Sequence, residues 1–535
     1  MTPTRIRAAA TLTALALSGA APAHEGESEG KLGDVHFAVG CNAKAQREFD
    51  LAMALYHSFA WEQIKAPLDR AAQADPQCGM VPWARALASL DNPFAWPGNV
   101  SAQILAEGAA LIAQARQAGL STARERAYVD ALGAFFEDAD KLNHRTRAQA
   151  LENGLEQVAT KYPKDAEATI LYSLVLSANF DPADKQYRNQ LKAANLLEPI
   201  FAKQPKHPGA AHYLIHSSDY PPLAARGLSA AERYSKIAPA ASHAQHMPSH
   251  IFTRVGAWSA SVAANAASAK ADSASGPNTL HAYDYMAYAH LQMGQDRAAQ
   301  AVRESAQALA KLPDHFAAAY AYAAIPARLA LERGDWASAA ALPLTPAPEA
   351  YPWAKYPQAV ASNAFARGLG AAAQRDAAAT TSELERLARL RDRAVELKIG
   401  YWAEQISIQI EVVRNFAAFK AGQVEAGLAG LQQAADREDA SEKHAVTPGP
   451  LLPAREVLAG ALLERGDAAG ALREFESVLR KEPNRLRAMA GAALAAERAG
   501  DKQRAGEHLE KITRQTAQTD GAMSGEQLAR MSVTR

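Results

Sequence analysis

Cysteine is almost missing from this chain of 535 residues: there are two, Cys41 and Cys78. Thiolate-rich metal sites and disulfide-dense scaffolds are therefore excluded. No excess of either charge exists, with 57 basic and 57 acidic residues, which argues against a nucleic-acid or polyanion binder. Long apolar runs are also lacking. The longest, AAATLTALALSGA near the N-terminus, is shorter than the ~20 residues that span a bilayer. No glycine-rich phosphate loop, nucleophile elbow or dinucleotide fingerprint is present.

That apolar run follows Arg5 and Arg7 and precedes Ala21-Pro22-Ala23, an A-x-A cleavage pattern. Residues 1–23 therefore read as a secretory signal, placing the mature chain in the periplasm or outside the cell, with no membrane insertion after cleavage. Cleavage after Ala23 leaves His24 as a new N-terminus able to chelate copper through its amine and ring, although residues 24–40 read as flexible. Helices are expected at Ala43–His57 and Trp61–Ala74. The start of the first and the end of the second meet at one end of a hairpin, so a Cys41–Cys78 disulfide is expected there, with two buried free thiols as the alternative.

Alanine is abundant, in tracts such as Gly370 to Ala379, and favours closely packed helices. Leu462, Gly466, Asp467, Ala471 and Phe475 recur 34 residues later as Ala496, Gly500, Asp501, Ala505 and Leu509, and Pro483 closes the first copy. This pattern resembles the tetratricopeptide repeat (TPR) family. Pro76, Pro205 and Pro239 take the closing-proline position, and Gly256, Gly294, Gly334 and Gly422 take the turn position. The resemblance implies an all-α, right-handed superhelix of antiparallel helical hairpins, of the type found in exported bacterial TPR proteins. Along the chain it implies a solenoid over 41–340, irregular helical repeats over 341–445, two regular repeats over 446–516 and a disordered tail over 517–535.

Histidine is concentrated as nothing else is. Eight of fifteen fall between His207 and His290. On the repeat register, His212, His216 and Asp219 take positions 5, 9 and 12 of one first helix. His243, His246 and His250 take positions 2, 5 and 9 of the next, and His281, Asp284 and Tyr288 the same positions of a third. Spacings of three and four put each trio on one helical face. The TPR resemblance implies that these positions face the concave groove. Pro248 interrupts the second trio and biases Met247 away from helical geometry.

Imidazole and carboxylate are the side chains most used to hold divalent metals. His212, His216, Asp219, His243, His246, His250 and His281 are the candidate ligands. His281 and Asp284 are also candidate bases, and Tyr288 is a candidate proton donor. The surplus over four ligands suggests two ions, or one ion with carboxylates orienting its imidazoles. Zinc, iron, copper, nickel and manganese all suit such a set. Aromatic residues Tyr213, Tyr220, Phe252, Trp258, Tyr283 and Tyr285 stand ready to wall a pocket for a small molecule.

These features suggest a metal-dependent hydrolase or oxidoreductase acting on a small organic substrate. Two other uses fit the repeats: a scaffold binding a peptide or protein in the groove, or a metal carrier without catalysis. His57, in YHSFAWEQ with Glu62, is placed at the groove rim or in helix packing. His36, His144, His207, His290, His315, His444 and His508 read as structural.

Overall fold

A computed structural model describes residues 32–272, 276–309, 312–517 and 525–532. The signal reading of residues 1–23 and the proposed chelating His24 lie outside the described residues. Among the described residues the secondary structure is wholly helical, and each helix packs mainly on its neighbours in sequence, so that the chain is a succession of helical hairpins. No described helix is long and apolar enough to cross a membrane.

The repeat is built by local chemistry. Gly466 and Gly500 turn the chain at φ +98° and +82°, a region that costs glycine little. The following Asp467 and Asp501 then cap the next helix by accepting from the backbone N–H of Gly470 and Arg504. Gly256, Gly294, Gly334 and Gly422 also sit at positive φ, between 62° and 91°. Helix Ala43–His57 starts at Asn42, whose side chain accepts from Lys44 and Ala45. Its partner begins with a 3-10 turn, Trp61–Gln63, and continues as Lys65–Ala74. Cys41 and Cys78 are disulfide-bonded across the open end of this hairpin, with Cα atoms 5.3 Å apart.

Two terminal expectations change. Residues 32–40 are not loose: Phe37 is fully buried against Phe49, Trp83 and Tyr128. A lone aromatic in a short extended strap has no periodicity by which sequence could place it. Within the tail, Gly525–Ser532 is helical, and Met531 packs with Leu486 and Ile512.

The repeats also curl back on one another. The loop joining helices Val424–Asp439 and Ala454–Arg465 enters the central region, where Lys443 meets Asp219 and Ala445 meets Tyr285. Asn484 and Arg485, after the next hairpin, reach Trp258 and Tyr288. A groove expected to stand open is thus partly filled by the chain's own C-terminal third.

Candidate metal centre

Four helices carry the six central histidines. His207 caps helix Pro208–Ser218 by accepting from Ala210 N–H, and Pro208 supplies the preorganised first turn. His212 and His216 then lie one turn apart. His243 and His246 occupy the short helix Ser242–His246, and His250 lies on Pro248–Arg254. Proline at 248 interrupts the backbone ladder, yet Met247 keeps helical angles (φ −54°, ψ −35°), contrary to the expected bias. Burial of Met247 and its hydrogen bond to the His243 carbonyl hold it there. His281 comes from Pro277–Gln292.

The structure regroups the sequence trios. His212 and His216 are joined by His243, while His246 and His250 are joined by His281. Within each set the ligand atoms lie within 4.8 Å of one another. The two sets adjoin, with ring centroids 6.3 Å apart for His243–His246 and 6.5 Å for His216–His250. His212, His246 and His250 are buried, while His216 is 9% exposed and His243 and His281 are partly exposed. Phe94 stacks on His216 at 4.0 Å and Phe59 on His243 at 5.2 Å, so aromatic rings wall the first set.

Hydrogen bonds assign the ring protons. His212 Nδ1 sits 2.7 Å from the His57 carbonyl, which can only accept. His250 Nδ1 sits 2.9 Å from the Asp219 carboxylate. His246 Nδ1 sits 2.6 Å from Asn265 Oδ1, an oxygen identified because the Asn265 amide nitrogen donates to the Ser261 carbonyl. Each Nδ1 therefore donates, and each Nε2 of a neutral ring is left with a bare lone pair. His246 and His250 nonetheless oppose their Nε2 atoms at 3.0 Å. His212 Nε2 has two neighbours at 3.1 Å, Nε2 of His216 and of His243, and with its own Nδ1 protonated it is an acceptor or ligand there. Facing lone pairs repel unless a cation lies between or beside them.

A shared proton fits poorly. Burial, reinforced by neighbouring imidazoles, holds His212, His216, His243 and His281 well below the usual histidine range. Burial carries His246 down to about 3, and lowers His250 despite Asp219 beside it. Neutral imidazoles with convergent lone pairs are the form that ligates metal. His281 Nδ1 is a further buried nitrogen without a hydrogen-bond partner.

The carboxylates and tyrosine assigned from sequence fall elsewhere. Asp219 stands behind His250 and is not among the convergent atoms: one oxygen takes His250 and Lys443, the other Arg254. Burial raises its carboxyl, but Lys443 and Arg254 outweigh this and hold it well below its usual range. Lys443 is itself pushed down to about 8 by burial. Asp284 is committed to Arg328 at 2.8 Å, and Tyr288 to Arg485 and Glu482. The residue that faces the histidines is Tyr285, one turn from His281, with its ring 5.0 Å from His246 and 5.1 Å from His250. A one-residue change of face on this inserted repeat accounts for the difference.

His57 is buried, not at the rim, and Glu62 lies exposed in the 3-10 turn. His57 and His207 both approach Glu167, at 2.9 and 2.8 Å. His207 Nδ1 accepts from Ala210 and His57 Nδ1 accepts from Tyr213, so each ring donates its Nε2–H to the carboxylate. Gly209 lets the helix approach this close, since a Cβ there would lie 2.6 Å from His57 Nδ1. This third group holds three potential ligand residues, but their hydrogen bonds are already complementary. His290 bonds Gln295, and His444 packs on Tyr401 and Trp402.

A separate cavity has a volume of about 90 Å³. It shares Arg254 and Lys443 with the Asp219 carboxylate, is walled by Tyr401 and Trp402, and touches none of the six histidines.

No family model matches the chain, and no curated protein is detectably similar in sequence. Among solved structures, it is similar to the Naa15/Naa10 complex bound to HypK-THB at 11% identity. That match covers 89% of this chain and 73% of that one, with a TM-score of 0.25. A circular tandem repeat protein with a novel repeat topology matches at 12% identity over 89% of this chain and 97% of that one, with a TM-score of 0.14.

Proposed function

We propose that this protein is an exported TPR-like solenoid that binds one or two transition-metal ions through His212, His216, His243, His246, His250 and His281. The observation that carries this reading is the opposition of His246 and His250 Nε2 atoms at 3.0 Å while both Nδ1 atoms donate elsewhere. A solenoid needs no such arrangement for packing, and a Lewis acid relieves it. His57, Asn265 and Asp219 orient the ligating rings through their Nδ1–H groups. Asp284 and Tyr288, held by arginines, take no part in this reading.

Partial exposure of His216, His243 and His281 leaves an edge at which a small organic molecule meets the metal, as a hydrolase or oxidoreductase requires. The peptide-scaffold reading is weaker because the chain's own 440–453 loop enters the region a peptide would occupy. The test is elemental analysis of the purified chain beside a His216→Ala/His250→Ala double variant. Stoichiometric metal in the first and its loss in the second is expected. A metal-free protein under every growth condition overturns the reading.

A further inference from the structure

The charge inventory around the six imidazoles separates one ion type from the rest. All six ligands are neutral rings. Asp219, the carboxylate bonded to a ligand ring, is matched against both Arg254 and Lys443, so its surroundings already carry one cation in excess. Of the neighbouring acids, Asp284 is committed to Arg328 and Glu442 to Lys185 and Tyr187, while Glu167 lies behind the backbone of His57, its oxygens taken by two imidazoles. Among the described residues, the ligand sets contain no carboxylate and no thiolate.

The self-energy of an ion in a poorly polarisable interior rises with the square of its charge. Two divalent ions would add four positive charges beside an existing excess, and two monovalent ions only two. Phe59, Phe94 and Tyr285 flank the rings and offer no anionic or carbonyl ligand. Three nitrogens per set serve zinc or manganese only with further solvent or anionic ligands taken up at the exposed edge. Three nitrogen ligands do complete the trigonal coordination of a d10 monovalent ion, and copper is the first-row metal with a stable state of that kind.

Resting on the metal-centre reading, we infer that the site takes a pair of copper ions in the monovalent state, one in the His212/His216/His243 set and one in the His246/His250/His281 set. The sets adjoin, so the two ions would be neighbours at one partly exposed edge.

The experiment is an anaerobic titration of the purified full chain with Cu(I), held in competition with a chromophoric Cu(I) chelator, beside an equilibrium titration with Zn(II). Two Cu(I) per chain are expected, unchanged by a hundredfold excess of Zn(II). His216→Ala and His250→Ala should each leave one. The variants His216→Asn and His250→Asn, with helix content followed by circular dichroism, serve where an alanine variant does not fold. Two Zn(II) that displace Cu(I), or a single Cu(I) per wild-type chain that each single variant abolishes, overturns the copper pair while leaving a metal centre standing. Binding of neither ion to the folded wild-type chain overturns both.

Discussion

Two groups of buried histidines lie within one solenoid, joined through the backbone of His57, and they are built on opposite rules. Around Glu167, every ring nitrogen meets a partner of the complementary kind: His57 and His207 donate to the carboxylate, and accept from Tyr213 and Ala210. In the central six, the outward nitrogens of His212, His246 and His250 are anchored, and the inward nitrogens of His246 and His250 are set against each other. Proximity of histidines is common to both clusters. The direction of each fixed proton differs between them.

The largest effect that would break this contrast concerns Glu167. Glu167→Ala leaves two buried imidazoles without an acceptor and is expected to lower unfolding free energy by about 3–5 kcal/mol, the usual cost of removing one partner of a buried pair. By contrast, His246→Leu in the metal-free chain is expected to cost under about 1 kcal/mol, because it removes a lone-pair repulsion. Denaturant melts of the apo proteins check both, and equal losses would sink the distinction.

Acidity separates the groups next. Each central histidine has a lowered folded pKa, so between that value and the ordinary 6.5 the unfolded chain binds more protons than the folded one. Stability is then full above pH 6.5 and falls as pH drops through the window, which for His246 extends to about 3. Glu167 is a lowered carboxyl: burial raises it, but His207 and His57 outweigh burial, so its contribution is intact at pH 5 and is lost only below about 4.5. Melts of the apo chain from pH 7 to 5 should show a steep decline. His246→Gln/His250→Gln should remove up to about 1.4 kcal/mol per pH unit for each ring, and an unchanged slope contradicts the assignment.

A smaller effect tests the anchoring of the rings. Asn265→Ala deletes the acceptor of His246 Nδ1–H and is expected to weaken metal binding about 10- to 100-fold, with stoichiometry preserved, in an equilibrium titration. Smallest of all, His36→Ala removes an exposed ring paired with Asp50 and should shift stability by no more than about 0.5 kcal/mol. A larger shift would show that surface histidines here are not neutral controls.

Much of this was legible in the sequence because it is local. The Ala43–His57 helix, the Gly-Asp turns and the disulfide hairpin follow from caps, spacing and repeat period. The proximity of the six central histidines is legible for the same reason, since i,i+4 spacing fixes a face. Their partition into sets was not, because it depends on how three neighbouring helices are rotated about the break at Pro248. Asp284 and Tyr288 differ from the register expectation because the insertion before Pro277–Gln292 shifts the face, so that Tyr285 looks inward. The roles of Lys443, Phe59, Phe94 and Glu167 arise from contacts far apart in sequence, and no periodicity signals them.

One asymmetry in that geometry sets an order of events. All six imidazoles lie between residues 212 and 281, on consecutive hairpins, whereas the segment that covers them from behind, around Lys443 and Ala445, comes some way later in the chain. A polypeptide delivered N-terminus first therefore completes its nest of nitrogens while that flank is still bare. Assembly of the six-ring nest and its covering are therefore separable in time, with the last repeats closing over a cluster already formed.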